Sequence, residues 1–154
     1  MTPQRGRSLE ELFAGRGYDI SKMQAQMRAR MAAEGLPYGD RKMTYNSRLA
    51  QELASWAVSQ PGGEAIHDAL FRAYFVDGKN IGDPETLIQL SGQLGLDEAQ
   101  AREVIEKRTH KAAVDADWEK SRQYGVTGVP TYVFGERGVV GAQPYEALEA
   151  LLRA

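Results

Sequence analysis

Cysteine is absent from all 154 residues. For this polypeptide alone, that excludes disulfides, thiolate nucleophiles, zinc–cysteine sites and iron–sulfur clusters. Histidine occurs only twice, at His67 and His110, with no shared spacing. Zinc sites usually draw on three or four ligands, so no metal site is expected. No apolar run approaches the ~20 residues of a membrane span. The opening Met1 to Phe13 has no apolar stretch suited to a signal peptide. The chain is therefore expected in the cytoplasm, with no membrane partner. Basic residues are not in excess: 19 Lys and Arg face 21 Asp and Glu, a net charge of −2. A general nucleic-acid binder needs the opposite balance, so no nucleic-acid partner is expected. No serine–histidine–carboxylate set or phosphate-loop spacing occurs. Gly135, Gly138 and Gly141 are read as turn residues, and no cofactor is expected.

Apolar residues make up 42% and charged residues 26% of the chain, an ordinary globular balance. The length suits one domain, 1–154, helical to about 125. Charge is uneven. Residues 1–48 hold nine basic and five acidic groups, or +4, and the remainder holds ten and sixteen, or −6. Solvated faces account for this; the sharper reading is a dipolar molecule whose head attracts another copy's tail.

Helix signals dominate. Ser8 and Glu11 have capping-box spacing before a short helix to about Ala14. Asp19 caps a second helix, to about Glu34, with an apolar stripe of Ile20, Met23, Met27 and Met31 read chiefly as core, or as a dimer interface. Leu36 to Tyr45 is read as a loop. Asn46 or Ser47 caps a third helix, and a fourth runs from Glu64 to about Val76. Asp83-Pro84 opens a fifth, Asp97 caps a sixth, and a seventh ends at Gly125 with Val114 and Trp118 on its buried side. The charged runs Glu103 to Lys111 and Asp115 to Arg122 are read as solvated helix faces. The pattern then changes. Thr131 to Phe134 is β-branched and aromatic, Gly135 to Gly138 turns, and Val139-Val140 returns, a β-hairpin. Gln143-Pro144 opens a last helix.

The most specific segment is Tyr124-Gly125-Val126-Thr127-Gly128-Val129-Pro130-Thr131-Tyr132-Val133-Phe134, followed by Gly141-Ala142-Gln143-Pro144. If the Val129–Pro130 bond is cis, Val129 turns its backbone N–H and C=O outward to pair with an extended peptide. Here the chain resembles the DsbA-like thioredoxin-fold family, in particular its FrnE-like branch. Asn46-Ser47 with Trp56-Ala57, and Ala69 to Phe75 with Ile81 to Pro84, extend the likeness over nearly the whole chain. The resemblance implies a mainly α chain with one short β-hairpin, a truncated thioredoxin-like (DsbA/FrnE-like) α/β fold with a helical insert. It implies substrate or peptide contact at Thr127, Gly128, Val129 and Pro130. Family members open with a strand, a Cys-x-x-Cys helix and a second strand, and this sequence offers no counterpart, so no catalytic residue is assigned.

A lone hairpin is marginal in water, and the edge Thr131, Tyr132, Val133 and Phe134 is expected to be open. A homodimer through that edge is expected, with a peptide or protein partner as the other occupant. Three functions follow: a redox-inactive binding or dimerisation module; a disulfide oxidoreductase or glutathione-dependent isomerase relative completed by a partner chain; or a fragment with no role of its own.

Overall fold

The computed structural model describes residues 5–153. The chain divides into two compact units, Met1–Val114 and Asp115–Ala154.

The first unit opens with strand β1 (Arg7–Ser8), helix α1 (Leu9–Phe13) and helix α2 (Ile20–Ala33). Strand β2 (Met43–Thr44) pairs antiparallel with β1, Arg7 opposite Thr44 and Ser8 opposite Met43. This strand lies within the stretch expected as loop; two residues are too short to show a period of two. Helices α3 (Arg48–Ala57), α4 (Ile66–Phe75), α5 (Pro84–Gln93) and α6 (Glu98–Lys107) follow. They bury one another's apolar faces around Leu53, Ile66, Leu87 and Ala101, each with no exposed surface. A short 3-10 turn, Gly63–Ala65, precedes α4 where an earlier helix start was expected. At Gly63 a Cβ would lie 1.7 Å from the Ala57 carbonyl oxygen, so only glycine fits.

The caps follow the sequence closely. Ser8 Oγ accepts from Glu11 N at 3.0 Å, and Glu11 Oε2 accepts from Ser8 N at 3.1 Å. Asp19, Asp83 and Asp97 each accept backbone N–H groups at their helix starts.

Two expectations about burial fail. α2 buries none of its residues: Met23 and Met31 are half-covered and Met27 is exposed. The methionine stripe is therefore not core. A residue repeated every four places covers one narrow line, and among the described helices α1 is the main neighbour of α2. α2 is otherwise held by polar contacts: Gln24 Nε2 donates to the Arg41 carbonyl, and Tyr38 Oη donates to Gln24 Oε1 at 3.1 Å. The second failure is Trp118, which is exposed, whereas Val114 one turn earlier is buried.

The second unit holds most of α7 (Lys111–Gln123), then β3 (Thr131–Phe134), β4 (Arg137–Val140) and α8 (Tyr145–Arg153). Leu151 is its only buried hydrophobic side chain among the described residues.

Candidate functional site

α7 ends as its glycine dictates. Gly125 takes φ +67°, its N–H reaches the Arg122 carbonyl at 2.9 Å, and Val126 N–H reaches the Ser121 carbonyl at 3.0 Å. This double closure satisfies carbonyls that a helix end leaves bare. The chain then runs through Thr127 and Gly128 to Val129–Pro130, whose peptide bond is cis. Thr131 Oγ1 donates to the Gly128 carbonyl at 2.6 Å, closing the loop on itself. Val129 at its tip is 89% exposed.

The hairpin follows directly. Thr131 faces Val140, Tyr132 faces Val139, Val133 faces Gly138 and Phe134 faces Arg137. The turn is two residues, Gly135-Glu136, so Arg137 and Gly138 belong to β4 rather than to the expected four-residue turn. Gly135 supplies the positive φ of +60° that such a turn needs at its first position.

The register identifies the free edge. Gly141 N–H donates to the Pro130 carbonyl at 2.8 Å. Antiparallel pairs alternate between bonded and non-bonded. Tyr132 and Phe134 therefore turn their N–H and C=O groups to β4, and Thr131 and Val133 turn theirs to the opposite edge. Apolar side chains lie on both hairpin faces, with Arg137 beside them opposite Phe134. Val133 and Val140 share one face, and Tyr132, Phe134 and Val139 share the other. Of these five only Val139 is even half-covered. No charged residue occurs between Arg122 and Glu136. Edge strands usually carry a lysine, a proline or a bulge against unwanted pairing; here the sole such residue, Pro130, precedes the strand.

The eight residues singled out in the sequence thus form one continuous ribbon, Thr127 to Phe134, and none of them is an acidic, basic or imidazole side chain. Among the described residues no group of three His, Cys, Asp or Glu is placed to hold a metal ion. His67 is exposed on α4, and His110 Nδ1 lies 3.0 Å from Thr109 Oγ1. No described helix is long and apolar enough to cross a membrane.

Sequence reasoning missed one cluster, in the other unit. Glu52 has no exposed side-chain surface, and its carboxylate is held by Arg108 and Arg48. Arg108 lies inside the run Glu103 to Lys111 that is expected as a solvated helix face. The hydrogen bonds from Arg108 hold the Glu52 carboxyl below the usual carboxylate range against the opposing effect of burial. No hydrophobic period signals such a pair.

The family described as DSBA-like thioredoxin domain matches residues 11–153. This chain belongs to the DsbA-like thioredoxin family. The DsbA-like chain is similar to a probable DsbA oxidoreductase from Streptomyces coelicolor, with 31% identity and a TM-score of 0.85 over 99% of this chain and 69% of that one. It is similar to the uncharacterized protein YwbO of Bacillus subtilis (strain 168), 30% identical over 105 residues, 66% of this chain. It spans about half, 51%, of the length of that curated relative. More distant structures share the fold. A 2-hydroxychromene-2-carboxylate isomerase is 18% identical with a TM-score of 0.73, over 86% of this chain and 65% of that one. The cytosolic disulfide reductase DsbM of Pseudomonas aeruginosa, solved with GSH, is 22% identical with a TM-score of 0.57, over 88% and 78%.

Proposed function

We propose that this DsbA-like chain is a binding module without thiol chemistry of its own, which takes an extended polypeptide segment along the Val129–Phe134 ribbon. One observation carries the reading: an uncharged, solvent-facing strand edge continues directly from an exposed cis-proline loop. An added strand would pair with the Thr131 and Val133 backbone groups, and side-chain pockets would read alternate residues. Because apolar side chains of β3 itself stand on both faces, at Tyr132, Val133 and Phe134, the favoured guest is apolar at successive positions, unlike a strand with one wet face. β3 of a second copy meets that description, and a homodimer through this edge is part of the proposal. Kinship to the FrnE-like branch is also part of it, supported by Gly125 to Phe134 and Gly141 to Pro144.

The test is fluorescence anisotropy with a labelled peptide carrying Thr-Tyr-Val-Phe. Binding is expected, and Val133→Pro should abolish it by removing the outward N–H while sparing the bonds to β4. Binding that survives Val133→Pro would overturn the strand-addition reading. Insulin reduction by dithiothreitol should proceed no faster with the protein than without it; acceleration would overturn the thiol-free reading.

A second reading is a disulfide oxidoreductase completed by a partner polypeptide that supplies a cysteine pair. The apolar side chains on both faces of β3 favour it, since such strands lie inside sheets covered on both sides. Glutathione binding by calorimetry separates an isomerase-like version of this reading from the first.

A further inference from the structure

The strand edge leaves α2 unexplained. α2 is a 14-residue helix with no buried residue. A helix of this length is marginal alone in water and normally owes its stability to packing of an apolar face. Its stripe of Met23, Met27 and Met31 is at best half-covered, Met27 is 45% exposed, and Leu36 beyond its end is also exposed. Its charges are Lys22, Arg28 and Arg30, with no acidic residue inside the helix. Arg28 and Arg30 flank Met27 on either side of the stripe, at the 3.6-residue helical period; Arg28 is paired with Asp40 at 3.4 Å, so Arg30 is the cation the docking uses first.

α8 carries the reverse pattern. Tyr145 and Leu152 lie seven residues apart on one face and are 73% and 61% exposed. Glu146 and Glu149 line one side of that face. Glu149 is bridged by Arg153 at 2.5 Å, while Glu146 is exposed.

We propose that α2 of one copy docks on α8 of a second copy, the methionine stripe covering Tyr145 and Leu152 and the α2 arginines facing the α8 glutamates. Charge complementarity selects this occupant: an apolar stripe bordered by Arg30 meets one bordered on one side by Glu146, and the chain holds both. Methionine suits the role, because its unbranched thioether adapts to an aromatic and a leucine alike. The contact uses neither the cis-proline loop nor β3, so it stands or falls separately from the proposed peptide site.

The test is sedimentation of the full chain at about 0.05 M and about 0.5 M salt, where screening lengths differ severalfold. Association should weaken at the higher salt. Arg30→Glu alone and Glu146→Lys alone should each weaken self-association about tenfold. The chain carrying both changes should associate again as the parent does, because the charges are exchanged rather than lost. Met27→Gln, on an exposed site that leaves the circular dichroism unchanged, should weaken association and, adding no charge, resist rescue by Glu146→Lys. A monomer under every condition, salt-independent association, or losses that add in the double variant would each overturn the proposal. Strand pairing through β3 cannot produce the rescue, and loss of Thr-Tyr-Val-Phe peptide binding leaves it untouched.

Discussion

Arg108 closes on Glu52 through two hydrogen bonds, Nε to Oε2 at 2.6 Å and Nη2 to Oε1 at 2.7 Å. Arg48 Nε adds a third, to Oε1 at 2.7 Å, and its Nη2 donates to the Lys111 carbonyl at 2.9 Å. The carboxylate thus ties α3 to the segment where α6 ends and α7 begins. Arg108 is the only described non-glycine residue with positive φ, +54°. It stands at the end of α6 as a left-handed cap, a conformation that favours glycine, while its side chain closes on Glu52.

Removing the carboxylate leaves two guanidinium groups around an apolar wall. A buried pair broken on one side costs about 3–5 kcal/mol; the Arg108 side chain is 40% exposed, so Glu52→Ala should cost about 2–3 kcal/mol after discounting for solvent. Arg108→Ala should be worse than Arg108→Gly by up to about 1 kcal/mol, since glycine alone relieves the positive φ. Urea unfolding of the three variants gives the order; an alanine variant as stable as the glycine variant would contradict the strain argument.

The same pair sets an acid limb. The folded-state pKa of Glu52 is held below its ordinary value of 4.5, first by hydrogen bonding from Arg108. A depressed carboxylate contributes stability that is present above the ordinary value and is lost as pH falls through the folded one. Stability should therefore be flat above about pH 5 with respect to this group and decline below it. Glu85, Asp97 and Glu119 shift the same way, but they are exposed and solvent screens them. Glu52→Gln should remove more of the decline than Glu85→Gln does, measured as urea midpoints against pH.

What could be read from the residues was what leaves a local signature. Ser8 with Glu11, Asp19 and Asp97 announce helix starts because a cap is a contact within three residues. Gly125 with Val129–Pro130 marks the loop because backbone chemistry restricts which residues can stand there. The Glu52–Arg108 pair spans 56 positions and has no period, so it could not be seen. The methionine stripe misled for a different reason: spacing shows which residues share a face, but not whether anything lies against it.

Glycine substitutions separate sterics from backbone conformation. At Gly39 a Cβ would lie 1.9 Å from the Val76 carbonyl oxygen, in the loop that donates Gly39 N–H to the Phe75 carbonyl at 2.9 Å. Backbone must move, so Gly39→Ala should cost about 2 kcal/mol or more. At Gly35 nothing lies within 4 Å, and the cost is only that of φ +66°, about 1 kcal/mol. Thermal or urea unfolding distinguishes them; equal losses would mean that the loop yields more readily than its contacts imply.

Amide hydrogen exchange reads the free edge directly. If Tyr132 and Phe134 bond to β4, their N–H groups should be protected, while those of Thr131 and Val133 exchange quickly in dilute protein. A register slipped by one residue would reverse this pattern, because every backbone group along the strand would change sides. Raising the protein concentration should then slow Thr131 and Val133 and leave Tyr132 and Phe134 unchanged, since a second strand can reach only the outward pair. Slowing at all four positions together would report general stabilisation of the hairpin rather than pairing at its edge. Fast exchange at Thr131 and Val133 at every concentration would rule out a second copy of β3 as the guest, leaving the edge to a separate peptide.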